Sequence, residues 1–434
     1  MDPAARPTGD IEDRLTVWGF AGSWAAYGLG AFYVLGPVVG YLLLFVLAVR
    51  WYIAPILPAR KKPGPIPFGV WVWIVAMFVM LLALFVGHVT NDLGIGKTIK
   101  STIGWMKGWA LLALFPLVGA CMNVRAERIY RASGYFSLQT LFLVPIFFIA
   151  PIAGLPEVLF TSPLQVIGGP GPSVFKLQLY MIDPETGSAR WQFLAPWAPA
   201  AGLIANLMFI CAMEEKKRFW KAVGIAAALI ICVMCQSRMA LLSVMLIYPS
   251  AYAVSRILRP TTLAGSALGL FFVGLAAPFL ITMALNFVDS FKSARAGSSR
   301  VRGALNRIAR ERGLEENPIW GHGVVEPGPH YVEYMPIGSH HSWFGLLFVK
   351  GIVGFTAFLV PVVWTFLELM VLAPALAVGR AALACLMLML FFSFGENMEM
   401  LAYLYWPGLM LIGIAFRDGM VRYHEIRAAR SLKA

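Results

Sequence analysis

Charge is what this chain has least of. Only 13% of its 434 residues are charged and 59% are hydrophobic, whereas a soluble domain carries about a quarter charged residues. That deficit excludes a soluble globular fold. Strands of alternating polarity are also missing. Apolar runs of about twenty residues stand in their place, which favours membrane helices over a barrel. Cysteine is scarce: Cys121, Cys211, Cys232, Cys235 and Cys385 all lie in or beside apolar runs, where a thiol packs as a small hydrophobe. The lone C-x-x-C, Cys232 to Cys235, falls inside an expected helix and is weak ground for redox or metal use. The polar stretches lack a D-x-D pair or clustered His and carboxylate ligands, so neither a metal nor another cofactor is expected. No cleavable signal is expected, since four acids occupy the first fourteen residues and no small-residue cleavage site follows the first apolar run.

The basic residues outnumber the acids, giving a net charge of +13. They fall mostly at the ends of apolar runs, so membrane orientation and anionic lipid explain them better than nucleic acid does. The hydropathy pattern predicts twelve helices, near 16–34, 37–56, 66–88, 103–122, 134–154, 195–213, 219–235, 239–256, 262–285, 343–371, 375–394 and 400–416. The first two are separated at Leu35-Gly36-Pro37. Twelve spans put both ends on one side, and the short basic loops at 60–62, 125–131, 216–221 and 256–259, Arg380 and the tail from Arg417 then share that side. By the positive-inside rule it is cytoplasmic.

The expectation is therefore an all-α integral membrane protein in three parts. Residues 1–287 hold nine helices and an external segment, 155–190; residues 288–341 form a large external loop; residues 342–434 hold three helices and a basic tail. The large loop carries Lys292, Arg295, Arg300, Arg302, Arg307, Arg310 and Arg312 on the face that should be poor in them. Arginines kept there point to an anionic ligand, and 300–312 also reads as an amphipathic helix on the membrane surface.

Several residues could carry chemistry. Arg238 sits in the short turn Gln236-Ser237-Arg238 between two apolar helices. It is either a snorkelling anchor or a phosphate clamp, since guanidinium pairs bidentately with phosphate oxygens. Arg190, ahead of Pro196 and Trp197, carries the same two readings. His340 and His341 open the tenth helix; a neutral imidazole can take a proton from an attacking hydroxyl, or simply cap the helix. His322, between Gly321 and Gly323, reads as structural or as a substrate contact. Glu396 and Glu399 lie in the hairpin before the last helix, either binding sugar hydroxyls or facing solvent. The helix centres are nearly free of charge, which counts against a transport pathway.

Taken in order, Arg190 with Pro196, Ser237-Arg238, Pro318-Ile319-Trp320-Gly321-His322-Gly323, Ser339-His340-His341-Ser342-Trp343 and Gly351-Ile352-Val353-Gly354 resemble the motif series of the bacterial O-antigen ligase and polymerase superfamily. His341 stands where that family usually has Asn, so either histidine could be the family's. The resemblance implies a GT-C-like fold in the bacterial inner membrane, with its active site facing the periplasm. It also implies an inverting, metal-independent glycosyltransferase. The donor would be a glycan on undecaprenyl diphosphate. The acceptor would be a second glycan, in a polymerase of exopolysaccharide or O-antigen, or lipid A-core, in a ligase. Arg190 and Arg238 would stabilise the diphosphate and His340 would act on the hydroxyl. Arg300, Arg302, His341, His322 and Glu396 would contact substrate.

Overall fold

The computed structural model describes residues 10–169, 171–183, 187–257, 259–279, 281–283, 286 and 296–431. They are mostly helical. Six helices are long and apolar enough to cross a membrane: Phe32–Tyr52, Phe68–Thr90, Gly94–Cys121, Ala126–Ile149, Ser342–Leu372 and Met398–Ala429. The bent pair Pro260–Leu275 and Ala277–Met283 makes a seventh if it is one span. Ala198–Glu214, Arg238–Val254 and Ala377–Ser393 are apolar but only 17 residues each, just short of the roughly 20 that span a bilayer core.

The helices depart from the expected boundaries at the start of the chain. Helix 16–34 is two shorter pieces, Ile11–Ala21 and Ser23–Gly28. The first starts earlier than its polarity predicts because its acids are buried against partners. Glu12 is fully buried and accepts two bonds from Arg50, at 2.7 and 2.6 Å. Asp13 lies 3.7 Å from Arg128. Nor does Pro37 end a helix, for Phe32–Tyr52 runs through it. A proline in a membrane helix is tolerated where neighbouring helices compensate, and here the backbone at Tyr403 comes so close that a Cβ on Gly36 would sit 2.6 Å from its carbonyl oxygen.

The stretch ahead of the expected fourth helix, 103–122, is itself helical. Gly94–Lys107 carries Ile95, Ile99 and Ile103 at i, i+4 spacing, all exposed. Such a stripe marks one apolar face.

Two sets of polar side chains sit at opposite ends of the helices. At one end is a belt of ion pairs. Arg131 donates to both oxygens of Glu215, at 3.0 and 2.9 Å, and Arg380 to both oxygens of Glu214, each at 2.7 Å. Arg50 with Glu12 extends it, and Arg417 donates to the carbonyls of Met122 and Val124 at 2.9 Å. The helix Ala377–Ser393 starts at this belt and ends at the second set, so the two lie about 25 Å apart at 1.5 Å per residue.

Segment 155–190 folds as two small antiparallel pairs, Val158–Thr161 with Lys176–Gln178 and Met181–Ile182 with Ala189–Arg190. It is docked by the Tyr27 hydroxyl, which donates to the Gln178 carbonyl at 2.6 Å and accepts its amide at 2.9 Å. In the 288–341 loop, Lys292 and Arg295 lie outside the described residues. The amphipathic stretch is a helix, Ala296–Glu315. Rather than lying on a membrane surface alone, it buries Val301, Leu305 and Ala309 against Val332, Ile337 and Phe348. That clamps it to the helix Ser342–Leu372.

Ser342–Leu372 is broken at Gly351, whose φ of 62° and ψ of −164° are not helical. The loop 318–323 fills the break. The amides of His322 and Gly323 donate to the carbonyls of Phe348 and Val349, at 2.8 and 2.9 Å. The amides of Ile352 and Val353 donate to those of Pro318 and Ile319, at 2.8 and 3.3 Å. Groups that a broken helix would leave bare are thus satisfied, as an apolar environment requires.

Candidate functional site

The second polar set is assembled from five separate segments. The strand Ala189–Arg190 is tied to the 234–236 turn: the Trp191 amide donates to the Met234 carbonyl at 3.4 Å, and Gln236 Nε2 to the Ala189 carbonyl at 3.3 Å. Arg190 Nε donates to the Cys235 carbonyl at 2.9 Å, and its Nη1 lies 3.7 Å from Asp183. Ser237 caps the next helix by accepting the Ala240 amide, so Arg238 is its first residue. Beside it, the Met239 sulfur would sit 2.6 Å from a Cβ on Gly395, which brings this turn against the 394–397 hairpin.

Glu396 is the centre. It is 3% exposed. One carboxylate oxygen, Oε2, accepts from Trp197 Nε1 at 2.9 Å. The other, Oε1, is buried without a hydrogen bond and lies 3.7 Å from Arg302 Nη1, which itself donates to the Gly395 carbonyl at 3.2 Å. Ser342 latches the hairpin in place, donating to the Glu396 carbonyl at 2.7 Å and accepting the Met398 amide at 2.9 Å. Burial pushes the Glu396 carboxyl up to about 7, against the opposing pull of Arg302, Trp197 and Arg190. An unpaired buried acceptor costs about 1–3 kcal/mol, a cost that a bound donor would remove.

The two histidines separate. His341 caps Ser342–Leu372, its Nδ1 accepting the amides of Trp343 and Phe344 at 3.2 and 3.3 Å. His340 makes no ring hydrogen bond among the described residues. Burial, and then the charge of Arg302, hold it down at about 4, so it is neutral at pH 7. Replacing His341 with alanine should therefore lower stability by about 1 kcal/mol, the usual worth of an N-cap. His340→Ala removes no ring hydrogen bond and should cost less than His341→Ala; thermal unfolding in detergent measures both.

Two of the expected contacts lie elsewhere. His322 is stacked on Phe348 at 4.2 Å, and its ring nitrogens face the Phe348 carbonyl at 3.1 Å and Glu316 at 2.7 Å. It braces the loop in the helix break rather than joining the Glu396 cluster. Arg300 is exposed, and residues two apart on a helix point different ways, so Arg302 turns to the site and Arg300 does not. Glu396 is not a solvent-facing turn residue.

Lys350 is a residue that the hydropathy pattern conceals. It is 3% exposed, beside the break at Gly351, and within electrostatic reach of Glu399 and His88. The helix centres are thus not as empty of charge as expected, and a single Lys in Phe348-Val349-Lys350-Gly351 was the signal.

No family model and no curated protein matches this chain. The site must be read from its own chemistry. Among the described residues, no three of His, Cys, Asp and Glu are grouped as a metal ion would need.

Proposed function

We propose that this chain is an inverting glycosyltransferase of the inner membrane that moves a glycan from undecaprenyl diphosphate to an acceptor hydroxyl at the Glu396 cluster. The observation that carries the reading is the buried carboxylate with one oxygen that accepts no hydrogen bond, flanked by Arg190 and Arg302, with the His340 imidazole within electrostatic reach of the same Arg302. The acceptor oxygen attacks the anomeric carbon while the bond from that carbon to the diphosphate oxygen breaks, and the diphosphate leaves with the electron pair. Arginines can stabilise that charge in place of a metal, strongly so where water is scarce. Arg190, Arg302 and the Arg238 turn supply them.

The hydroxyl proton passes to Glu396 Oε1 or to His340. A carboxyl near 7 is matched to such a role at neutral pH. His340 is by itself a weak base, and a bound diphosphate would offset the Arg302 charge that weakens it. On this reading the fold is GT-C-like, and twelve spans would put the cluster on the periplasmic face and the belt of ion pairs at the cytoplasmic end.

The leading activity is polymerisation of lipid-linked repeat units of an exopolysaccharide or O-antigen; ligation to lipid A-core is the alternative. Purified protein given an undecaprenyl-diphosphate oligosaccharide should build a ladder without lipid A-core, and EDTA should leave the reaction running. A single transfer that requires lipid A-core would make it a ligase. Arg238→Ala and His340→Ala should each abolish transfer in protein that remains folded; near-normal activity in both would overturn the site.

One observation favours a second reading, a transporter of lipid-linked sugars. Broken helices with a buried charge are how many transporters build a midplane site, and Gly351 with Lys350 has that form. Movement of a lipid-linked sugar across proteoliposomes without formation of a glycosidic bond would decide for it.

A further inference from the structure

At the ion-pair belt, a cavity of about 140 Å³ is lined by Ser255, Arg256, Arg259, Arg380 and the turn 373–377. Its volume is several times the ~30 Å³ that one water occupies. The neighbouring arginines of the belt hold carboxylates or carbonyls, as Arg50, Arg131 and Arg417 do. The cavity differs. Arg380 gives Nε and Nη2 to Glu214, but neither Arg256 nor Arg259 has a carboxylate partner among the described residues. Arg256 instead lies over the Tyr252 ring at 4.2 Å, with Arg380 at 5.5 Å from the same ring. Glu214, held by Arg380, is the one carboxylate bonded to any of the three guanidiniums that line the cavity, which leaves them a net charge of about +2.

The turn adds donors. Ala377 begins the helix Ala377–Ser393, and its N-cap residue, Leu376, has no side chain able to accept the first amides. A helix start without a cap presents bare N–H groups and the positive end of the helix dipole. Arg422 reaches the rim, donating to the Ala375 carbonyl at 3.3 Å. The site lies about 25 Å along a 17-residue helix from Glu396, close to the ~30 Å of a bilayer core. It is therefore at headgroup depth and separate from the cluster above.

We propose that this cavity binds a phosphate group, presented by an anionic lipid headgroup. Planar guanidinium forks and helix-start amides both suit phosphate oxygens, and basic recesses between membrane helices hold such headgroups.

The test is native mass spectrometry of the full chain released from nanodiscs of mixed phosphatidylglycerol and phosphatidylcholine. Wild type should retain phosphatidylglycerol, and Arg256→Gln with Arg259→Gln should weaken its retention about thirtyfold at about 1 kcal/mol per arginine. Lys61→Gln with Lys62→Gln removes the same charge from exposed residues elsewhere and should leave retention unchanged. Equal loss in the two double variants would overturn the site as non-specific surface charge. If Arg256→Gln with Arg259→Gln does not fold, Arg259→Gln alone, at an exposed position, should still weaken retention about fivefold; wild-type retention there overturns the proposal. Inorganic phosphate is the second arm. If it raises the melting temperature of wild type but not of the double variant, and phosphatidylglycerol adds nothing, the phosphate site stands with a soluble source. If neither phosphate nor phosphatidylglycerol separates wild type from the variant, the proposal fails.

Discussion

Glu396→Gln is expected to slow glycan transfer by about 10²–10⁴-fold, the usual worth of a positioned acid or base. Glutamine keeps the shape, and its carbonyl can still accept from Trp197, so the loss would report the missing proton acceptor. Wild-type activity should rise with pH through about 7, where the carboxyl ionises, and the residual activity of the variant should lose that limb. Stability gives an independent readout. The folded-state value lies above the usual 4.5, so folding favours the protonated acid. That contribution is fully present below about 4.5 and is lost as pH rises through about 7, amounting to about 3 kcal/mol at 1.4 kcal/mol per unit. His340 and His341, both held down at about 4, act in the opposite sense between about 4 and 6.5. The comparison is therefore with the variant: wild type should lose stability relative to Glu396→Gln between about pH 5 and 8. A constant difference across that range would remove the buried carboxylate from the account.

Gly351→Ala should be strongly destabilising, at about 3 kcal/mol or more. The φ of 62° with ψ of −164° at Gly351 lies in a region held almost only by glycine, and costs an alanine about 1–3 kcal/mol by itself. Its Cβ would also overlap the Ile319 carbonyl and the backbone of Trp320, pushing the loop out of the break. Loss of the four backbone bonds that cross it would add about 1 kcal/mol or more for each group left bare. Gly265→Ala is the control, because Gly265 is helical and nothing lies within 4 Å of its added Cβ; it should be neutral or slightly stabilising. Thermal unfolding in detergent, with equal losses in the two variants as the contrary outcome, tests the point.

The polar punctuation of the sequence carried most of the site. Arg238 was legible because Gln236-Ser237-Arg238 is all that separates two apolar runs. Arg190 and the histidine pair were visible for the same reason. Which histidine was free to act was not legible, since a cap is defined by where the helix begins, one residue after His341 and not before it. Glu396 was visible as an acid in a hairpin, but its burial depends on Trp197 and Arg302, 199 and 94 positions away. Gly351 was hidden inside an apolar run, because a backbone break that a distant loop repairs leaves hydropathy unchanged. Most of Gly94–Lys107 was missed because lysines, threonines and glycines separate the isoleucines of its stripe, so no apolar run marks it.

The belt of ion pairs has a consequence for how the chain is made. While each segment enters the bilayer singly, Arg50, Arg131 and Arg380 have not yet met Glu12, Glu215 and Glu214, which are 38, 84 and 166 positions away. On the proposed orientation the arginines would act at full strength as topological signals during insertion. Once the helices associate, the same residues are neutralised. On that orientation, the charges that would orient these segments are the ones that later lock them together.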